Sequence, residues 1–264
     1  MDLKLAGKTA LVTGSTAGIG LGIAQSLARE GAHVWVNGRT QQRVDAAIAA
    51  IRSRTPKAQV EGIPADFASA AGAEAVIAKV PAVDVLVNNV GIFDVKPFLE
   101  IPDDEWLRFF EVNVMSGVRL SRHYLPAMTK KNWGRIIFIS SESAVQIPVE
   151  MIQYGMTKTA QVAIARGIAE SVSGTGVTVN SILVGPTESE GVGTFLQSMA
   201  KQQNKSTDQI EKEFFQTGRP TSLLGRFITV DEVANMVTYV ASEAASATNG
   251  SALRVDGGVI RAIL

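Results

Sequence analysis

The chain has 264 residues, 46% of them hydrophobic, enough for a sizeable core in one or two domains. Its 25 Lys and Arg balance 25 Asp and Glu with no basic stripe, which argues against nucleic acid or an anionic membrane surface as a partner. No cysteine is present, so disulfides, thiolate catalysis and thiolate metal sites are excluded; two histidines, His33 and His123, cannot alone supply a usual zinc site, and no metal is expected.

The opening residues lack a basic segment followed by an apolar stretch and a small-residue cleavage site. No apolar run is long enough to span a bilayer, so a cytoplasmic protein without membrane contact is expected.

Residues 9–13 (TALVT) read as a short apolar strand. It runs into Gly14, Ser15, Thr16, Ala17, Gly18, Ile19 and Gly20, followed by the helical pattern Ile23, Leu27 and Ala28. Strand, glycine-rich turn and helix start in this order are the context of a dinucleotide site. Glycines let the backbone turn tightly and approach a pyrophosphate, and the helix start offers free N–H groups and a positive dipole end. The spacing is G-x-x-x-G-x-G rather than G-x-G-x-x-G, and a plain glycine-rich turn is the alternative.

Gly31 ends that helix, and residues 33–37 form a second strand, followed by Gly38 and Arg39. A carboxylate at this junction would take a ribose 2′-hydroxyl, whereas an Arg suits a 2′-phosphate. With no acid here and Arg39 next in line, NADP(H) is expected over NAD(H); otherwise Arg39 is an exposed loop charge. Residues 41–53 repeat Val44, Ile48 and Ile51 at helical spacing, and residues 60–64 make a third strand. Asp66 then either accepts from an adenine amino group or caps the helix beginning near Ser69. Residues 83–88 form a fourth strand, after which the Asn88 and Asn89 amides can tie the sheet end together while Gly91 lets a cofactor approach.

A single long helix is expected over 104–129, carrying Trp106, Phe109, Phe110, Val114 and Val118. Asn113 falls inside it and is a poor helix former, which suggests a tertiary role or a satisfied core hydrogen bond. Residues 135–139 (RIIFI) read as a buried strand, with Ser140 and Ser141 at its carboxyl end, where open α/β sheets place ligands.

Tyr154 and Lys158 are four residues apart and share one face if their segment is helical. A free Tyr has a pKa of about 10. A nearby ammonium favours the phenolate and draws that value down, so the pair can exchange a proton with a carbonyl or alcohol oxygen. A serine hydroxyl beside it can hold the same oxygen. The alternative is a packing aromatic and a solvated charge.

The helix runs to about Ser173, and residues 177–183 form a sixth strand leading to Val184, Gly185, Pro186 and Thr187. Residues 188–218 are polar, with weak periodicity at Phe195, Leu196, Met199, Phe214 and Phe215; they are the candidate substrate lid, or a plain surface helix pair. Glu188, Glu190, Phe195 and Met199 would give it a mixed polar and apolar lining. A last helix over 231–241 and a last strand over 253–258 follow. Seven strands alternating with helices imply a doubly wound (Rossmann) parallel α/β sheet, with helices on both faces, in one domain over 1–264.

In order and spacing, TGSTAGIG at 13–20, NNVG at 88–91, Asn113, Ser141, Tyr154 with Lys158, and GPT at 185–187 resemble the short-chain dehydrogenase/reductase family over nearly the whole chain. Within it the chain looks most similar to the bacterial branch that includes the ketoacyl-carrier-protein reductases. The resemblance implies a catalytic tetrad. Tyr154 would be the acid/base, Ser141, thirteen residues before it, would hold the substrate oxygen, Lys158 would bind the nicotinamide ribose and lower the Tyr pKa, and Asn113 would anchor a relay water. Thr187 would meet the nicotinamide carboxamide, and a homotetramer is implied. One departure stands out: Val184 occupies a position where the family usually has Pro, which puts the local turn in question.

The expectation is therefore an NADP(H)-dependent oxidoreductase interconverting a carbonyl and an alcohol. A dehalogenase or lyase on the same fold is an alternative, against which the intact glycines and Lys158 speak. A non-catalytic NADP(H) sensor or scaffold is another, in which an intact tetrad would be odd.

Overall fold

A computed structural model describes residues 2–263, apart from the side chains at 194 and 195. The strands are β1 (Thr9–Val12), β2 (His33–Gly38), β3 (Val60–Pro64), β4 (Val85–Asn88), β5 (Gly134–Ser141), β6 (Val177–Val184) and β7 (Ala252–Val255). They form a seven-stranded sheet, parallel throughout, in the order β3-β2-β1-β4-β5-β6-β7. Helices α1 (Gly18–Arg29), α2 (Gln41–Arg54), α3 (Ala70–Lys79), α4 (Asp103–Phe110), α5 (Ser116–Lys131), α6 (Ile152–Ser171), α7 (Glu190–Gln203), α8 (Thr207–Glu213) and α9 (Val230–Val240) connect them.

The short apolar runs make a sheet covered on both faces because alternate residues feed two separate cores. Val12, Val87, Ile137 and Ile139 join one core with Ile23 and Leu27 of α1 and Val233 and Val237 of α9. Leu11, Leu86, Ile136 and Phe138 join the other with Val76 of α3, Leu120 and Tyr124 of α5 and Ala165 of α6. Each large aliphatic side chain sealed this way contributes about 1.5–3 kcal/mol.

Winding reverses between β1 and β4, which are neighbours although β2 and β3 lie between them in sequence. At such a switch point the helices on either side leave a crevice at the strands' carboxyl ends, the place ligands bind in open α/β sheets. Both the glycine-rich turn after β1 and the stretch Asn88–Gly91 at the end of β4 lie at these carboxyl ends.

Two expectations about local structure need correction. The single helix over 104–129 is interrupted: α4 and α5 are separated by a π-helical turn at Glu111–Met115, centred on Asn113. Ser140 and Ser141 are the last two residues of β5, at its carboxyl end as expected, and pair with Leu183 and Val184. Val184 is the last residue of β6 and pairs on its other side with Val255, so the strand continues through the position where the family usually has Pro. The segment 188–218 contains α7, α8 and a π-helical turn at Phe214–Gly218. Phe195 falls among the side chains outside the description. No helix among the described residues is long and apolar enough to cross a membrane.

Candidate active site

Three of the expected residues converge where β5 ends and α6 begins. Tyr154 and Lys158 lie one turn apart on α6, with the Lys158 Nζ 5.5 Å from the centre of the Tyr154 ring. Ser141 and Lys158 are buried, Tyr154 is half-buried, and Phe93 meets the Tyr154 ring edge-on. Ser140 belongs to the scaffold, because its hydroxyl donates to the Lys158 carbonyl oxygen at 2.9 Å.

Lys158 is held by two acceptors: its Nζ donates to the Ile139 carbonyl at 2.9 Å and to Gln161 Oε1 at 3.2 Å. Burial lowers its pKa to about 8, since the interior disfavours the ammonium. Tyr154 departs from the expected downward shift. Burial raises its pKa well above the ordinary value, and the negative charge of Glu142 adds to the rise; Ser141 and Arg219 pull the other way. The Lys158 ammonium is hydrogen-bonded to Ile139 and Gln161 rather than to the phenol hydroxyl.

Asn113 is fixed by the loop after β4. Its Oδ1 accepts from the Ile92 N–H at 2.7 Å, and its Nδ2 donates to the Ile92 carbonyl and to Thr157 Oγ1, each at 3.0 Å. Its own backbone carbonyl accepts from Gln161 Nε2 at 2.5 Å. Gln161 thereby spans the gap from Asn113 to Lys158.

A further pair borders the site. The Ser141 hydroxyl donates to Glu142 Oε2 at 2.5 Å, and Arg219, just past the π turn after α8, donates from Nε to Glu142 Oε1 at 2.8 Å. Both charged side chains are largely buried.

A protein-family model described as short chain dehydrogenase matches residues 8–200. The chain belongs to the short-chain dehydrogenase/reductase family. It is 47% identical over 263 residues to the uncharacterized oxidoreductase YvaG of Bacillus subtilis (strain 168), with 100% of each chain covered. It is 32% identical over 263 residues to the 3-oxoacyl-acyl-carrier-protein reductase FabG of Aquifex aeolicus (strain VF5), covering 98% of this chain and 100% of that one. It superposes with a TM-score of 0.93 on the L-sorbose reductase of Gluconobacter frateurii, whose crystal structure is complexed with NADPH and L-sorbose; identity is 30%, with 100% of each chain covered. As a member of this family the chain is an oxidoreductase of CH–OH and C=O groups.

The crevice of this short-chain dehydrogenase fits a dinucleotide. Gly14 holds φ +61° and Gly18 φ +52°, a left-handed backbone that favours glycine. At Gly20 a Cβ would lie 2.4 Å from the Gly14 carbonyl oxygen, so only glycine lets the turn fold back onto α1. Ala17 at the N-cap has no side-chain oxygen to give, which leaves the first-turn N–H groups for an anion.

The remaining expected residues differ in where they point. Ser15 is fully buried and its hydroxyl links the Val12 carbonyl to the Asn37 N–H, so its side chain serves the turn. Thr16 and Ile19 are half-buried at the crevice. Arg39 is exposed beyond β2 and makes no ion pair among the described residues. Asp66 is exposed and accepts from the Ala68 N–H at 3.1 Å; it caps its own turn and not α3, whose N-cap is Ser69. Asn88 donates to Ser121 Oγ at 3.2 Å, while Asn89 ties the sheet end to the glycine-rich turn by donating to the Thr13 and Gly14 carbonyls. Gly91 lies beside Lys158, where a Cβ would stand 3.3 Å from Nζ. Thr187 is buried, with its hydroxyl on the Gly185 carbonyl.

Gln161, Thr157, Glu142 and Arg219 were not singled out from the sequence. Gln161 had a faint signal, since it sits three residues after Lys158 on the same helix. Arg219 had none, being 77 residues from the Glu142 it meets.

Proposed function

We propose that the chain is an NADP(H)-dependent carbonyl reductase or alcohol dehydrogenase with Tyr154 as its acid/base. The observation that carries this reading is the convergence of Tyr154, Lys158 and Ser141 near Gly91, whose loop packs through Asn89 and Val90 on Gly14 of the glycine-rich turn. The raised pKa keeps Tyr154 protonated at neutral pH, which suits donation to a carbonyl oxygen during reduction. Ser141 would steady that oxygen. Lys158, kept in place by Ile139 and Gln161, would stabilise negative charge on the phenol oxygen as the proton leaves.

The bound nicotinamide would supply or accept the hydride. Gly14, Gly18, Ile19 and Gly20 would hold the pyrophosphate, Lys158 the ribose, and Thr187 the carboxamide. Asn88 and Gly91 would shape the crevice wall, and Asp66 would flank the adenine. Arg39 would take the 2′-phosphate. Its exposed guanidinium favours NADP(H), as does Gly38, where a Cβ would lie 2.3 Å from Thr16 Cγ2, leaving no ready room for the acid that NAD(H) prefers. The likeness to a reductase complexed with NADPH points the same way.

Residues 188–218 would act as the substrate lid within one catalytic domain. A homotetramer belongs to the same reading, with exposed Leu99, Leu107 and Phe110 as apolar surface for a second copy. The test is cofactor consumption with NADPH and NADH in parallel over ketones, aldehydes, quinones and β-ketoacyl thioesters. NADPH-dependent turnover is expected; NADH preference would remove Arg39 from the account.

A further inference from the structure

Ser141 has one hydroxyl proton and a neighbour that claims it. A carboxylate is acceptor-only, so the 2.5 Å contact with Glu142 Oε2 requires Ser141 to be the donor. Ser141 in turn accepts from the Ser143 N–H at 3.1 Å. A substrate carbonyl arriving at Ser141 needs that same proton. Giving it up strips a donor from a buried anion, which is costly unless another donor replaces it.

Glu142 cannot swing away to solvent. Its other oxygen is held by Arg219 Nε at 2.8 Å, and Arg219 is fixed by its Nη1 on the Gly218 carbonyl and by its packing over the Phe214 ring. Glu142 is 4% exposed and Ser141 5%, and their side-chain oxygens lie 2.5 Å apart, so a molecule that reaches the Ser141 hydroxyl also meets Glu142. Among the described residues each carboxylate oxygen has one side-chain donor, leaving a lone pair on each for a ligand.

We infer that Glu142 is a specificity residue and that the substrate is an α-hydroxy carbonyl compound, or in the reverse direction a vicinal diol. This rests on the reading of Ser141 and Tyr154 as the groups that hold the reacting oxygen. The substrate's hydroxyl donates to Glu142 Oε2 and the Ser141 proton passes to hydrogen-bond the carbonyl, so no hydrogen bond is lost. Oxygens on adjacent carbons match the short spacing between Ser141 Oγ and Glu142 Oε2. A plain ketone leaves Glu142 short of a donor, and a keto acid brings its carboxylate against another. Arg219 is the positioning residue that keeps the carboxylate aimed at Ser141.

Matched pairs test this: 1-hydroxy-2-butanone against 2-butanone, and dihydroxyacetone against acetone, each with NADPH. Wild type should favour the hydroxylated member by on the order of 10²-fold in kcat/KM. In Glu142→Ala the ratio should fall below about 10-fold, and Arg219→Met should raise KM for the hydroxylated member more than it lowers kcat, with Arg219→Lys recovering part of the loss. The wild-type ratio needs no variant to fold. Turnover that depends on Tyr154 but shows no hydroxyl preference, or a ratio unchanged in a folded Glu142→Ala, overturns the inference while the reaction class stands. Turnover that persists in Tyr154→Phe overturns the reading beneath it, and absence of turnover with every pair overturns both.

Discussion

Gln161 donates from Nε2 to the backbone carbonyl of Asn113 at 2.5 Å. With its Oε1 it accepts from Lys158 Nζ at 3.2 Å, so one side chain joins the π turn between α4 and α5 to the lysine on α6. The resemblance implies that Asn113 anchors a relay water, and the Gln161 amide meets the backbone carbonyl of the same residue. A neutral amide that donates at one end and accepts at the other can orient the ammonium without adding charge to the site.

Gln161→Leu removes both contacts and leaves the Asn113 carbonyl buried without that donor. It should lose about 1–3 kcal/mol of stability. It should also lower kcat by roughly tenfold or more while NADPH affinity changes little. Chemical denaturation and steady-state kinetics on the same preparation separate the two effects.

The pH dependence follows from Lys158. Its pKa is lowered to about 8 by burial, so the ammonium is present below that pH and is lost as pH rises through it. Carbonyl reduction should therefore fall above about pH 8, and Lys158→Met should be slow throughout without that descending limb. A flat profile from pH 7 to 9 in wild type would remove the ammonium from the mechanism.

In the proposed function Arg39 would govern the choice between cofactors through one charge-assisted contact with the 2′-phosphate. Arg39→Ala should weaken NADPH binding by about 10- to 100-fold and leave NADH binding nearly as it was. Fluorescence titration of both reduced cofactors reads the change directly.

Gly20→Ala tests the cradle. A Cβ there meets the Gly14 carbonyl oxygen at 2.4 Å and Ser15 Cα at 2.9 Å, backbone and near-backbone atoms that cannot rotate away. The turn must open, so both cofactor affinity and Tm should drop. Unchanged affinity would show that the turn does not hold the pyrophosphate.

The sheet was legible in the sequence because each buried strand is a short apolar run bounded by glycine or polar residues, and two-sided burial leaves no polar alternation to confuse it. The Tyr154 and Lys158 pair was legible because helical spacing alone brings the two together. The π turn at Asn113 was not. Its cause is tertiary: Ile92, Thr157 and Gln161, all distant in sequence, grip that one residue. The upward shift of the Tyr154 pKa was equally hidden, since it depends on how deeply the ring sits and on Glu142, whose partner Arg219 comes from the far end of the chain. Asp66 shows the opposite limit: two roles fitted its position, and of these the helix cap falls to Ser69, while the Asp66 carboxylate accepts within its own turn.

The measurement that bears most directly on the central claim is NADPH consumption by Tyr154→Phe beside wild type with one reducible carbonyl compound. Phenylalanine keeps the ring against Phe93 and removes only the hydroxyl. The account predicts that turnover falls by about 10²- to 10⁴-fold while NADPH binding persists. Turnover within a few fold of wild type would contradict it and place the proton donor elsewhere.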